Sequence, residues 1–203
     1  MSGELDNSLR IYRPDFEFIY DSIPEGKRVL DIGCGDGTLL AKLKTKNIFG
    51  LGIEKNEKEI YKCIEKGVMV HHDDIENGLD HLLEKSFDYV ILNHSVQETK
   101  KPGEIIKRVL QIGKKVIITF PNFGHWEIRL MVLFTGRTPV TKLLPYTWDL
   151  TPNLHFLSVK DFESYLKKEK IKVEKSVFFS EFKEISILPN LFCKSALYVL
   201  SDT

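Results

Sequence analysis

The chain reads as an α/β protein built on one seven-stranded, mostly parallel sheet, with helices on both faces and an antiparallel last strand. Three observations lead there. Short apolar runs alternate with helical patterns along most of the chain. The first run breaks into a glycine loop and resumes as a helix, and the last two runs follow one another with no helical pattern between them. Direct succession calls for an antiparallel pairing after a parallel core.

With 203 residues the expectation is a single domain over 1–203. Lys plus Arg is 29 and Asp plus Glu is 29, so no surplus positive charge is available to neutralise a phosphate backbone, and nucleic acid is excluded as a generic partner. No apolar run reaches bilayer length, which excludes a membrane partner. Residues 1–15 mix charges with scattered apolar residues and lack a signal-peptide pattern, and a cytoplasmic location is expected. Cys34, Cys63 and Cys193 are odd in number and have no C-x-x-C spacing, which fits reduced thiols and gives no metal site.

The strand candidates are 27–32, 48–53, 68–72, 87–92, 114–120, 171–179 and 195–200. A helix over 38–44 follows the first. Residues 56–66 set Ile60, Cys63 and Ile64 on one face and stop at Gly67, a residue suited to the left-handed cap. The helix over 102–112 starts on a proline, carries Ile105, Ile106, Val109 and Leu110, and stops at Gly113. Ser158 caps a last helix whose apolar stripe is Phe162, Tyr165 and Leu166.

Residues 121–157 break this rhythm. They hold Pro121, Pro139, Pro145 and Pro152, half of the chain's 8 prolines, together with Trp126 and Trp148. A connection so long and so aromatic is expected to be ordered and functional, a cap over the carboxyl edge of the sheet. Its apolar residues Trp126, Ile128, Leu130, Met131, Leu133 and Phe134 suit either core closure or a protein partner.

The chemistry concentrates in Asp31-x-Gly33-x-Gly35-x-Gly37. Alternate glycines let backbone approach a ligand, and the spacing differs from the G-x-G-x-x-G loop that seats a dinucleotide pyrophosphate. A carboxylate at position 31 would repel a pyrophosphate and would accept from an ammonium. Glu54 ends the second strand, where an acidic side chain can take ribose hydroxyls. Asp74 and Ile75 follow the third, suited to an adenine amino group and ring face, or to a plain solvated turn.

These residues resemble the S-adenosylmethionine site of class I methyltransferases. The longer strings at 28–40, Phe120-Pro-Asn-Phe-Gly-His-Trp126, 136–142, Leu144-Pro-Tyr-x-Trp148 and Thr151-Pro-Asn-Leu-His155 resemble the MetW family of methionine biosynthesis, over about residues 9–177. The resemblance implies a Rossmann-like methyltransferase fold that binds S-adenosylmethionine or S-adenosylhomocysteine through Asp31, Gly33, Gly35, Gly37, Glu54, Asp74, Ile75 and Asn93. It also implies a role beside a homoserine O-acyltransferase. Asn93-His94-Ser95 stands where the family usually has Ser-Gln-Thr, while Gln97 is retained.

If the chain transfers a methyl group it needs a base only for a protonated acceptor. The candidates are His94, His125, Tyr146 and His155, each with a structural role as its competing explanation. Two functions follow: a ligand-holding subunit that assists the acyltransferase, or an active methyltransferase on an unrelated small polar acceptor.

Overall fold

The computed structural model describes residues 13–76 and 78–202. The segment expected to lack a signal peptide lies outside them as far as residue 12, as does the start of the family resemblance. Helix α1 (Pro14–Ser22) comes first and starts on a proline, whose fixed φ suits a first helical turn. The alternating units follow as β1 (Arg28–Ile32), α2 (Thr38–Lys44), β2 (Phe49–Glu54), α3 (Glu57–Glu65), β3 (Met69–His72), β4 (Phe87–Asn93), α4 (Pro102–Ile112) and β5 (Gly113–Pro121). Next come α5 (Trp126–Thr135), α6 (Val159–Lys168), β6 (Lys172–Ser180), β7 (Lys183–Glu184), α7 (Pro189–Phe192) and β8 (Ser195–Ser201).

The sheet order is β3-β2-β1-β4-β5-β8-β6-β7. Strands β1 to β5 pair in parallel, and β8 is antiparallel to both neighbours, β5 and β6. The expected count of seven is corrected to eight. Strand β7 spans two residues and pairs with the end of β6 through Phe179 and Ser180, too short to leave a periodic signal.

Because parallel strands are covered on both sides, their alternate residues feed two cores. Leu30, Ile32, Val90, Leu92, Val116 and Ile118 pack with Ile105, Val109 and Phe162 of α4 and α6. Val29, Ile91 and Ile117 pack with Ile19, Leu39 and Leu43 of α1 and α2. Tyr198 of β8 is fully buried, stacked at 6.0 Å on Phe120 and edge-on to Phe162 at 5.0 Å.

The caps expected at Gly67 and Ser158 form: Gly67 adopts φ +64°, and Ser158 and Asp161 close a reciprocal capping box. Asn56 adds a further one, accepting from the Lys58 N–H at 3.0 Å. Within the long connection, residues 141–157 lie over the carboxyl edge of the sheet, while α5 leaves most of its apolar residues in solvent, with only Ile128 buried. Core closure therefore does not account for the apolar face of α5.

Candidate nucleoside site at the carboxyl edge

Strand β1 pairs with β2 on one side and β4 on the other, and chain order reverses at that point. Open α/β sheets bind ligands in the crevice outside this switch. The register sets Asp31 opposite Gly52 and Ile91, which brings Asp31, Glu54 and Asn93 to one edge.

Gly33, Gly35 and Gly37 have φ of +74°, +55° and +73°, the left-handed region that side chains avoid. They serve different contacts. A Cβ on Gly37 would meet Cys63 Sγ at 2.8 Å, and one on Gly33 would meet Ser95 Cβ at 3.2 Å, so these two let the loop lie against α3 and the end of β4. A Cβ on Gly35 would meet nothing within 4 Å. That glycine opens onto a cavity.

Two further anchors hold the loop. The N–H groups of Gly33 and Cys34 donate to the Ile53 carbonyl at 2.8 and 3.1 Å. Glu54 Oε2 accepts from Gly35 N–H at 2.9 Å, and its Oε1 accepts from Lys55 and Asn56 N–H at 2.9 and 2.8 Å. A carboxylate has about four acceptor positions, and here three are in use. A grip on two ribose hydroxyls therefore requires Gly35 N–H to let go.

Three cavities adjoin along this edge, and Arg13 and Glu98 belong to the walls of all three. One of about 430 Å³ lies over the loop, walled by Asp31, Gly33, Gly35, Asn93 and Tyr146. One of about 290 Å³ runs past Glu54 to Ile75. Asp73 walls the second cavity beside Ile75, whereas Asp74 is not among its walls and accepts from Glu76 N–H at 3.0 Å. The third, about 450 Å³, lies under residues 142–153 and is walled by His94, Gln97 and Tyr146.

Asp31 is the centre of the electrostatics. Burial raises its pKa to about 7, with Glu54 and Asp15 adding to the rise and Arg13 opposing it. Its Oδ1 is buried without a hydrogen-bond partner among the described residues. Asp15, buried at the start of α1, behaves oppositely. Burial pulls its pKa up, but hydrogen bonds from Arg13 at 2.6 to 3.2 Å, the nearby His94 and an Asn93 hydrogen bond outweigh it and hold it below the usual carboxylate range.

His94 follows β4 at φ +55°, pinned by its N–H to the Thr119 carbonyl at 3.1 Å. Burial pushes its pKa down to about 4 against the pull of Asp15, so its ring is neutral at pH 7. Tyr146 is half-buried between the first and third cavities. His125 and His155 do not join them. His125 is buried at the N-cap of α5, 3.9 Å from Glu127, and His155 is exposed, beside a gap of about 10 Å³.

Arg13, Asp15 and Lys142 stand in these walls without having been singled out in the sequence. Arg13-Pro14-Asp15 carried a readable signal, a proline at a helix start, but no pattern ties it to the strand ends at Asp31, Glu54 and Asn93. Lys142 carried none.

The arrangement of strands and the site at their carboxyl edge define a methyltransferase fold. Solved structures agree: an S-adenosylmethionine-dependent methyltransferase from Mesorhizobium loti superposes with a TM-score of 0.69 at 14% identity, over 94% of this chain and 98% of its own. Magnesium protoporphyrin IX methyltransferase from Synechocystis, with bound S-adenosylhomocysteine, gives 0.67 at 14%, over 100% and 90%. The sequence comparisons are more specific. The family described as Methionine biosynthesis protein MetW matches residues 13–200, and the chain belongs to that family. A bifunctional methionine biosynthesis protein MetXA/MetW from Rhodopirellula baltica is 30% identical over 175 residues, 81% of this chain and 28% of the relative. A ubiquinone biosynthesis O-methyltransferase from Hahella chejuensis is 26% identical over 128 residues, 59% of this chain and 53% of the relative. The chain thus spans between about a quarter and a half of the length of these curated relatives.

Proposed function

We propose that the edge of the sheet binds S-adenosylmethionine or S-adenosylhomocysteine, and that the chain serves methionine biosynthesis beside a homoserine O-acyltransferase. The observation that carries the ligand is the orphaned Asp31 oxygen beneath a loop whose Gly35 faces open space. A cationic, phosphate-free nucleoside fits this donor set, because its ammonium satisfies the carboxylate, while a phosphate would face Asp31 and Glu54 across a short gap. Asp31 and the backbone of Gly33 and Gly35 would hold the amino-acid end, Glu54 the ribose, and Ile75 with Asp73 or Asp74 the base. S-adenosylmethionine, but not S-adenosylhomocysteine, would supply there an activated methyl group to a molecule in the adjoining cavity of about 450 Å³. On this chain's side, His94 is neutral and able to take a proton, the nearby Asp15 carboxylate favours the charge it would gain, and residues 142–153 wall the cavity. This second cavity is what favours the alternative, active transfer to a small polar acceptor.

The proposal predicts a particular pH dependence. Asp31 keeps its proton up to a pH of about 7. Pairing with an ammonium requires the carboxylate, so below that point the ligand must displace a proton. Affinity for S-adenosylmethionine is expected to rise by up to about tenfold per pH unit as pH approaches 7 and to level off above it. Calorimetry across this range tests it, with Asp31→Asn expected to be weak and flat. A flat wild-type profile removes Asp31 from the site.

The partner reading rests on α5. Leu133 and Phe134 are 73% and 79% exposed, and Trp148 beyond them is 77% exposed. Exposed aromatic and aliphatic anchors of this size mark protein interfaces more often than solvent-facing helices. The fusion of a MetW part to MetXA in the Rhodopirellula baltica relative supports the same direction. Copurification with a homoserine O-acyltransferase should succeed at micromolar concentration. Phe134→Asp should weaken it by about 2 kcal/mol or more while leaving the melting curve unchanged. A folded variant that still binds fully places the interface elsewhere.

A further inference from the structure

Two residues that wall the cavity beneath residues 142–153 each carry a buried polar atom with no hydrogen-bond partner among the described residues. Gln97 is 4% exposed, and its Nε2 donates to the His94 carbonyl at 2.7 Å, yet its Oε1 is buried with no partner. His94 Nε2 is likewise buried with no partner. Both residues wall the same cavity. An amide oxygen accepts only, and a neutral imidazole that carries its proton on Nδ1 accepts at Nε2, so in that tautomer both atoms take a ligand group that donates, a hydroxyl or an ammonium. Leaving such atoms unmet costs free energy that folding alone does not recover.

The same cavity is also walled by two lysines. Among the described residues Lys142 makes no ion pair, and Lys194 makes a loose one with Glu181 at 3.9 Å. Arg13, between this cavity and the loop, is already committed to Asp15. Two lysines and two unmet acceptors around one cavity suit a molecule that carries both a carboxylate and a donor. The volume of about 450 Å³ admits a small metabolite rather than a peptide chain or a nucleotide pair.

We infer that this second cavity binds a small amino or hydroxy acid, its carboxylate on Lys142 and Lys194 and its ammonium or hydroxyl on Gln97 Oε1 and His94 Nε2. The inference rests on the nucleoside reading of the neighbouring groove only for its place beside it, since Gln97, Lys142 and Lys194 wall neither of the cavities given to the nucleoside and His94 alone is shared with one of them. In the methyl-transfer reading the molecule is the acceptor. In the ligand-holding reading it is a metabolite whose level the protein senses.

The test separates the two sites. Calorimetry first measures S-adenosylhomocysteine alone. The common L-amino acids, L-lactate, L-malate and 3-hydroxybutyrate are then titrated at millimolar concentration, with and without it. At least one acid should bind, and its carboxamide should bind at least tenfold more weakly. Lys142→Ala, at an exposed position, should weaken the acid about tenfold without changing the affinity for S-adenosylhomocysteine. Gln97→Leu should do the same. The inference is overturned if no acid binds, if acid and amide bind alike, or if Lys142→Ala binds as the wild type does. A protein that binds the acids but not S-adenosylhomocysteine would keep this site and sink the nucleoside reading.

Discussion

Gly35→Val is expected to abolish binding of S-adenosylmethionine and S-adenosylhomocysteine, at least a hundredfold in dissociation constant, while the protein stays folded. The position has φ +55°, and a Cβ there meets nothing within 4 Å. The Cβ of valine therefore has room, and the branched side chain beyond it extends into the cavity into which the backbone opens. Its own cost is the left-handed conformation, about 1 to 2 kcal/mol, which lowers the melting temperature without unfolding the chain. Circular dichroism with calorimetry separates these effects. A folded variant with wild-type affinity would reduce the loop to a turn. Gly37 offers the contrast, since the atom met there is Cys63 Sγ at 2.8 Å and substitution strikes the packing of α3.

Asn122→Ala should lower the unfolding free energy by about 3 to 4 kcal/mol, because one buried side chain serves four backbone groups. Its Nδ2 donates to the carbonyls of Asn190 and Cys193 at 3.1 and 2.9 Å. Its Oδ1 accepts from Gly124 and Val159 N–H at 3.0 and 3.3 Å. Removing the amide unties the end of β5, the start of α6 and the turn of α7 together. Urea denaturation followed by tryptophan fluorescence measures the loss. A change below about 1 kcal/mol would mean that water replaces all four bonds.

The contrast between these two positions shows what was legible. The glycine triplet and its strand announced their chemistry, because a spacing of alternate glycines after an acidic residue has few uses. The string Pro121-Asn122-Phe123 marked a family, but nothing in it told that Asn122 is a structural tie and not a ligand group, since its four partners come from positions 124 to 193. The same limit applies at the site. Arg13, Gln97 and Lys142 come together only through β-strand order and a long connection, which periodicity does not encode. His125 and His155 illustrate the reverse error. Residue type and membership of the cap made them candidates, yet one faces Glu127 and the other faces solvent. Helix α3 shows how amphipathic spacing overreaches: Cys63 is buried as expected, while Ile64 remains 61% exposed.

The antiparallel strand β8 separates β5 from β6, although both precede it in the chain. During synthesis, the five parallel strands can assemble as soon as β5 has emerged, but β6, apart from its two-residue pairing with β7, cannot join the sheet until β8 arrives. For that interval the edge of β5 stands open, lined by Ile117, Ile118 and Phe120, an apolar template for a neighbouring nascent chain. Closure of the sheet is thus a late, non-local event, and crowding on a polysome is the circumstance in which this architecture is most exposed to mispairing.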